Sequence, residues 1–125
     1  MVTKTIMKKI SIALILGSVC AALLTAQANT LQPRMSSADK SQGFEEFRRG
    51  VQAYYRGTFN EAVLLFEKAL AHIPENPLIL DWLGQAYYRS GVEGAALEQW
   101  EAAAASGYGG QLLKNKIEVV RERRS

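Results

Sequence analysis

The sequence contains very few of the side chains that build metal sites and catalytic centres. Among 125 residues there is one cysteine, Cys20, and one histidine, His72. Because a zinc site needs several sulfur or imidazole ligands, these two residues predict no metal centre, and His72 is interpreted as the end of a helix. No Gly-rich phosphate loop follows a strand pattern, and no nucleophile lies in a recognisable elbow. We therefore expect no enzymatic activity, no cofactor and no small-molecule substrate.

The chain also lacks a strong net charge. It has 15 lysines and arginines against 12 aspartates and glutamates. Lys4, Lys8 and Lys9 lie in an N-terminal export pattern, and without them the basic and acidic side chains are equal in number, at 12 each. This balance removes the electrostatic basis for binding nucleic acid.

A local excess of basic side chains remains near the C-terminus. Five basic residues stand against Glu118 and Glu122. They are Lys114, Lys116, Arg121, Arg123 and Arg124. Cations near the C-terminus of a helix are stabilised by the backbone dipole, and we favour this interpretation over a patch for anionic lipid or for an acidic partner.

The N-terminal residues 1–28 have the pattern of an export signal. Two lysines precede an apolar run over residues 10–24, and a small-residue motif then ends at Ala28. This order predicts a secretory signal that is cleaved between Ala28 and Asn29, so that the mature chain is periplasmic or secreted. The polar, turn-rich residues 29–42 are predicted to form a flexible linker.

Several alternatives for the N-terminal segment stay open. Met7 begins a complete signal of its own, so either Met1 or Met7 is the start of the protein. A retained apolar run would anchor the chain in a membrane, although it is at the short end for spanning a bilayer. Lipidation of Cys20 would also tether the chain, although Val19 is atypical before a lipidated cysteine. Membrane association is expected only in these last two cases.

The second half of the chain repeats itself at an offset of 34 residues. The matching pairs are Gly50 and Gly84, Tyr54 and Tyr88, Gly57 and Gly91, Ala62 and Ala96, Phe66 and Trp100, and Ala69 and Ala103. Within each unit, small and apolar residues recur three and four apart, which is helix spacing. Gly57 and Gly91 are expected to end helices, because glycine readily adopts the left-handed backbone conformation. Each unit is therefore predicted to be one antiparallel pair of helices.

Other residues predict where the helices begin. Thr58 and Glu61 have the spacing of a capping box, with a hydroxyl residue three places before a glutamate. Asn76 is expected to cap the following helix, with Pro77 in its first turn. In the second unit Val92 stands where Thr58 stands in the first, so the cap there is expected to be weaker.

Glycines in the middle of helices indicate that neighbouring helices approach closely. Gly50 and Gly84 each cost roughly 1 kcal/mol relative to alanine within a helix, so close packing explains them better than helix formation does. Phe66 and Trp100 are the bulky side chains expected opposite these gaps. The full set predicted to pack the repeats is Gly50, Gly84, Ala62, Ala96, Phe66, Trp100, Ala69 and Ala103.

The repeated pattern resembles the tetratricopeptide repeat. The order Gly-x-x-x-Tyr-x-x-Gly-x-x-x-x-Ala-x-x-x-aromatic-x-x-Ala occurs twice in one register, and Pro74 closes the first unit. The resemblance implies an all-α fold, a short α-solenoid whose open end is sealed by a capping helix. The implied domain, 43–125, consists of repeats 43–76 and 77–110 and a capping helix at 111–124. Tyr108 stands where a proline would close the second repeat, so the regular array is expected to end or bend there.

The resemblance also implies where a partner binds. In tetratricopeptide arrays the first helix of each pair lines a concave groove. The corresponding residues here are Phe44, Phe47, Val51, Tyr54, Leu78, Asp81, Gln85, Tyr88 and Arg89. One subgroup grips chaperone C-terminal carboxylates with lysine and asparagine, but Phe47 and Val51 occupy two of those positions, so that specificity is rejected.

The expected groove suits an apolar segment of a protein partner. Tyr54 and Tyr88 would supply both packing area and hydroxyl groups for hydrogen bonds. The alternative for Phe44 and Phe47 is that they pack against the linker or a neighbouring helix.

These observations predict a bacterial scaffold protein of the periplasm or envelope that binds another protein. Two repeats and a cap lie at the lower limit for a stable stack, because each pair buries its apolar face only against a neighbour. A homo-oligomer, a partner or a further domain would supply the missing contact. The alternatives are thus an accessory or N-terminal structural domain of a larger envelope protein, for example one fused to or docked on a β-propeller, and a membrane-tethered assembly factor.

Overall fold

The described part of the chain is a series of five α-helices. The computed structural model describes residues 35–125, so the predicted export signal, its cleavage site and most of the predicted linker lie outside the described residues. The helices are α1 (Ser37–Arg56), α2 (Phe59–His72), α3 (Pro77–Arg89), α4 (Glu93–Ala105) and α5 (Gly110–Arg124). Residues 35–125 contain no β-strand, and the all-α class is confirmed. Within this range no helix has both the length and the apolar character needed to cross a bilayer.

The first helix begins inside the segment predicted as a linker. The Ser36 N–H donates to Asp39 Oδ2 at 3.1 Å, and Ser36 Oγ accepts from the Ala38 N–H at 3.1 Å. These two bonds satisfy backbone and side-chain groups at the start of a helix, as in a capping box. Residues 37–42 are therefore helical rather than a flexible linker, because a cap upstream of them lets α1 extend toward the N-terminus.

The turns that follow α1 and α3 have the same geometry. Gly57 has a φ angle of 83° and Gly91 one of 88°, both in the left-handed region that was predicted for them. After α1 the Thr58 N–H donates to Ala53 O at 3.0 Å, and the corresponding bond 34 residues later measures 2.9 Å. This pattern is the Schellman ending of a helix. The sequence offset is thus matched by an offset in backbone structure.

The start of α2 differs from the prediction. The Thr58 hydroxyl lies 3.0 Å from Ala53 O and 3.0 Å from Glu61 Oε2, and it accepts no hydrogen bond from an N–H of α2. The predicted capping box is wrong, because the hydroxyl turns back toward the end of α1. Both α2 and α4 therefore begin without a side-chain cap.

The start of α3 agrees with the prediction. Asn76 Oδ1 accepts from the N–H groups of Leu78 and Ile79 at 3.1 and 3.2 Å. Pro77 is the first residue of the helix, where a missing N–H costs nothing. Just before this cap, Glu75 has a φ angle of 58°, which turns the chain sharply between α2 and α3.

In each of the two helix pairs, α1–α2 and α3–α4, a glycine lies directly against an aromatic ring. A β-carbon on Gly50 would lie 2.6 Å from Phe66 Cε1, and one on Gly84 would lie 2.5 Å from Trp100 Cδ1. The two rings are 0% and 2% exposed, respectively. The predicted packing alanines, Ala62, Ala69, Ala96 and Ala103, are all fully buried. Only glycine leaves room for the ring, so α1 lies close to α2, and α3 lies close to α4.

The last helix covers the end of the second pair. Positive φ angles at Gly107 and Gly109 redirect the chain after α4. Leu113, Ile117 and Val120 are then buried in the same cluster as Trp100. Tyr108 therefore lies in the glycine-rich turn between α4 and α5, and α5 packs against α4 and shields the apolar side chains there.

Candidate binding groove

A groove of about 500 Å³ opens between α3 and α5. Tyr54 of α1 and Trp100 of α4 complete its walls. The lining residues are Tyr54, Gln85, Tyr88, Arg89, Trp100, Leu112, Asn115, Lys116, Val119 and Val120. Its size lies within the range of ligand-binding clefts, and its lining is mainly aromatic and aliphatic with a few polar groups.

Four of the nine residues predicted for a groove line this one. They are Tyr54, Gln85, Tyr88 and Arg89. Tyr88 is held from two sides, because its ring lies 5.8 Å from the Trp100 ring and its hydroxyl accepts a hydrogen bond from Arg123 at 3.0 Å. A ring that is already held loses little side-chain entropy when a ligand packs on it.

Tyr54 belongs to an aromatic cluster at the α1 side of the groove. Its ring is edge-on to Trp82 at 5.4 Å and to Phe59 at 5.3 Å. Tyr55, which is 76% exposed, completes the cluster, with its ring centre 6.0 Å from that of Trp82 and 5.8 Å from that of Tyr54. Edge-to-face contacts of this kind add to the apolar burial of each ring. Tyr54 therefore supports the fold as well as lining the groove.

Two of the remaining predicted residues are partly buried and pack against the apolar core. Phe47 lies 5.7 Å from the Phe66 ring and 6.3 Å from the Trp82 ring, and Val51 packs against the same apolar cluster. The alternative that Phe47 packs on a neighbouring helix is therefore the one that the structure shows.

The other three predicted residues are scattered. Phe44 is 49% exposed, and Leu78 is half-buried in the first turn of α3, and neither lines the groove. Asp81 lies behind the groove wall, where its carbonyl accepts from Trp100 Nε1 at 3.2 Å and its carboxylate pairs with Lys116 at 3.3 Å. Its role in the structure is to connect α3 to α4 and α5.

The side chains that α5 contributes were missed in the sequence. Leu112 and Val119 are 78% and 55% exposed and lie two helical turns apart on the groove side of α5. They form a second apolar stripe beside the buried one at Leu113, Ile117 and Val120. A single helix face cannot bury both sets of side chains, so the sequence of α5 already implied that one set would stay exposed.

Arg89 brings a positive charge to the edge of the groove. Its guanidinium carbon lies 4.7 Å from the centre of the Phe59 ring and 5.9 Å from that of Tyr54. These cation–π contacts orient the side chain. Within residues 35–125, no carboxylate oxygen lies within the 4.0 Å of an ion pair with Arg89.

Most of the basic side chains of α5 have acidic partners. Lys116 pairs with Asp81 at 3.3 Å, and Arg123 lies 3.6 Å from a carboxylate oxygen of Glu93. Arg121 pairs with Glu101. Three of the five basic side chains of α5 are thus paired with carboxylates of α3 and α4. The helix dipole is a second favourable term for Arg121, Arg123 and Arg124, which lie in the last turn.

A separate polar contact joins the two helix pairs away from the groove. The Tyr87 hydroxyl donates to Glu67 Oε1 at 2.6 Å, which links α3 to α2. This hydrogen bond to a carboxylate, with burial and the negative charges of Glu67 and Glu98, raises the pKa of Tyr87 to about 12. The phenol is therefore neutral, and able to donate, over the whole physiological pH range.

Comparison with protein-family models, with curated proteins and with solved structures gave no match to this chain.

Proposed function

We propose that this chain is a non-catalytic scaffold of the tetratricopeptide type that binds a segment of another protein in the groove between α3 and α5. The observation that carries the proposal is the exposure of Leu112 and Val119 beside Tyr88. A large exposed apolar patch is a marker of a protein contact.

The repeat geometry supports the same proposal. The helix endings at Gly57 and Gly91 recur with the 34-residue offset, and so do the contacts of Gly50 and Gly84 with an aromatic ring. Nine of the ten residues that line the groove come from α1, α3 and α5, which are alternate helices of the chain, and Trp100 of α4 is the tenth. An array of helix pairs with one surface built from alternate helices suits an elongated ligand such as a peptide segment.

Amide groups in the groove favour a peptide over a purely apolar ligand. Gln85 on α3 and Asn115 on α5 both line it. Asn115 Oδ1 accepts from Gln111 Nε2 at 2.8 Å, which leaves the amide N–H groups of Asn115 able to donate to a carbonyl of a bound chain. Apolar side chains supply affinity, and a few fixed polar groups supply orientation.

The test is selection of random peptides on the full chain, followed by binding measurements with groove variants. Leu112→Asn and Val119→Asn together should weaken the selected peptides at least about tenfold, because they remove the exposed apolar contacts. Leu64→Asn is the matched control, since Leu64 is 59% exposed on α2 and does not line the groove. Selected peptides that bind all three proteins equally would place the contact elsewhere, and failure to select any peptide would count against a protein-binding function.

The proposal includes export of the chain to the bacterial periplasm or envelope. Its support is the order of charged, apolar and small residues in 1–28. Mass spectrometry of the protein from its source should find Asn29 as the first residue. A lipidated Cys20 or an intact N-terminus would favour the membrane-tethered alternative instead.

A further inference from the structure

We infer that the peptide segment bound in the groove carries an acidic side chain that pairs with Arg89, next to apolar side chains that pack on Leu112, Val119 and Tyr88. This inference rests on the proposed function, because it specifies the chemistry of the peptide that the groove takes.

The charge of the groove is the first observation. Its lining includes two cations, Arg89 and Lys116, and no carboxylate. Lys116 is already paired with Asp81 at 3.3 Å and lies 5.1 Å from the centre of the Trp100 ring. The charge of Arg89 has no such partner among residues 35–125. A ligand that complements this lining is apolar and brings one negative charge.

The orientation of Arg89 is the second observation. Its guanidinium lies over Phe59 and near Tyr54, at 4.7 and 5.9 Å from the ring centres. A guanidinium held by contacts with aromatic rings still has five N–H groups with which to bind a partner. Those groups form a planar fork that binds a carboxylate through two parallel hydrogen bonds. Because the aromatic rings hold the side chain in advance, less entropy is lost when a carboxylate binds.

The surroundings of Arg89 favour an acidic peptide over other anions. Arg123 and Lys116, the cations nearest to the groove, are engaged by Glu93 and Asp81. A nucleic acid needs several cations along its phosphates, and this surface offers one. A small anionic amphiphile would leave part of an open apolar wall uncovered, since Leu112 is 78% exposed.

The experiment uses the peptides selected on the full chain, with each peptide joined to its carrier through its C-terminus so that no terminal carboxylate is offered. We expect the selected sequences to be enriched in aspartate or glutamate beside apolar residues. Arg89→Glu should weaken them about tenfold or more, and Arg89→Lys should weaken them less. Peptides in which lysine replaces the acidic residue should bind Arg89→Glu better than they bind the native chain.

The control variant is Arg56→Glu. Arg56 lies in the last turn of α1 as Arg89 lies in the last turn of α3, but it does not line the groove. It should leave peptide affinity unchanged. If Arg89→Glu proves unfolded by circular dichroism, Arg89→Met keeps the length of the side chain and tests the same charge.

One result would overturn the inference while leaving the proposed function in place. It is a set of peptides that need Leu112 and Val119 but show no acidic enrichment and no response to Arg89→Glu. Failure to select any groove-dependent peptide would instead overturn the proposed function, and the inference with it.

Discussion

The two helix pairs of this protein share a backbone plan and differ in the chemistry around it. In both pairs a glycine lies against an aromatic ring, Gly50 on Phe66 and Gly84 on Trp100. The Phe66 ring is surrounded by other rings, with Phe47 at 5.7 Å and Trp82 at 6.2 Å. Packing around the first pair is therefore apolar and aromatic.

In the second pair, polar contacts surround the buried aromatic ring. Trp100 Nε1 donates to Asp81 O at 3.2 Å, and the Asp81 carboxylate pairs with Lys116 of α5. The tryptophan thus combines a buried ring with a hydrogen bond, which phenylalanine cannot make. We infer that the repeat sets how the helices of a pair meet, whereas the next helix along the chain determines which side chains surround that contact.

The largest expected effect comes from removing the two rings. Phe66→Ala and Trp100→Ala should each lower the free energy of unfolding by about 3–5 kcal/mol, because each leaves a cavity in a close-packed interior. Urea denaturation measures both. Phe44→Ala is the control, since Phe44 is 49% exposed, and it should change stability by no more than about 0.5 kcal/mol. A loss below about 1 kcal/mol for either ring variant would contradict the packing described for that pair.

Filling the glycine gaps should have the next largest effect. Gly50→Ala and Gly84→Ala each gain about 1 kcal/mol of helix propensity. Overpacking costs about 1–3 kcal/mol and should exceed that gain, since the new β-carbons would lie 2.6 and 2.5 Å from buried rings. We therefore expect net destabilisation of both variants by urea unfolding.

Gly94 offers the matched control for the glycine variants. A β-carbon there would lie 3.1 Å from Arg124 Nη1, at the flexible end of an exposed side chain that can move away. Gly94→Ala should thus be neutral or stabilising by up to about 1 kcal/mol. Stabilisation of Gly84→Ala to the same degree would show that α3 and α4 lie further apart than described.

A smaller effect is expected from the ion pair that joins the second pair to α5. The Asp81 and Lys116 side chains are 17% and 34% exposed, whereas those of Glu101 and Arg121 are 48% and 63% exposed. Asp81→Asn should cost about 1 kcal/mol and speed amide exchange in α5, because the pair is partly shielded from water.

Glu101→Gln is the control for the ion pair. This substitution removes a carboxylate that also pairs with α5, but in a more exposed position. Because water screens exposed ion pairs, it should lower the free energy of unfolding by no more than about 0.3 kcal/mol. Equal losses for the two variants would mean that burial does not distinguish the pairs.

The smallest change in stability at neutral pH is expected from Tyr87→Phe, which removes the hydrogen bond between the two helix pairs. Tyr87 has its pKa raised from 10.0 to about 12, first by its hydrogen bond to Glu67. A raised folded-state pKa means that the neutral phenol is favoured by folding, so this contribution is complete below pH 10.0 and is lost as the pH rises through about 12.

A spectrophotometric titration checks the Tyr87 prediction. Tyrosine ionisation in the native protein should extend to about pH 12, and Tyr87→Phe should remove this last step. The stability difference between the native protein and Tyr87→Phe should shrink across pH 10.0 to about 12. Loss of an ordinary tyrosine step instead of the last one in the variant would contradict the Tyr87–Glu67 bond.

Local signals in the sequence were sufficient for much of the backbone. The left-handed glycines at 57 and 91, the Asn76 cap and the Pro77 start depend on residues a few positions apart, so they can be read directly. Thr58 is the exception. Its hydroxyl bonds to a carbonyl of the preceding helix, a competitor that the spacing of Thr58 and Glu61 does not reveal.

The candidate groove was only half predictable. Tyr54, Gln85, Tyr88 and Arg89 were assigned to it from their places in the repeat, but Phe47 was assigned to it as well and does not line it. Phe47 and Tyr54 both lie on α1, are partly buried and contact Trp82, so their places in the repeat do not reveal which of the two reaches the groove. The wall supplied by α5 has no counterpart in the repeat and was not foreseen.

Sequence alone was enough to predict where α3 begins, where α1 and α3 end, and which small and large residues meet within each pair. These features follow from local backbone preferences and from side-chain volume. Only the tertiary structure decided that Leu112 and Val119 face a groove, that Asp81 connects three helices, and that Arg89 keeps its charge available. Such outcomes depend on the position of α5, which is set by contacts between residues far apart in the chain, and no periodic pattern encodes those distances.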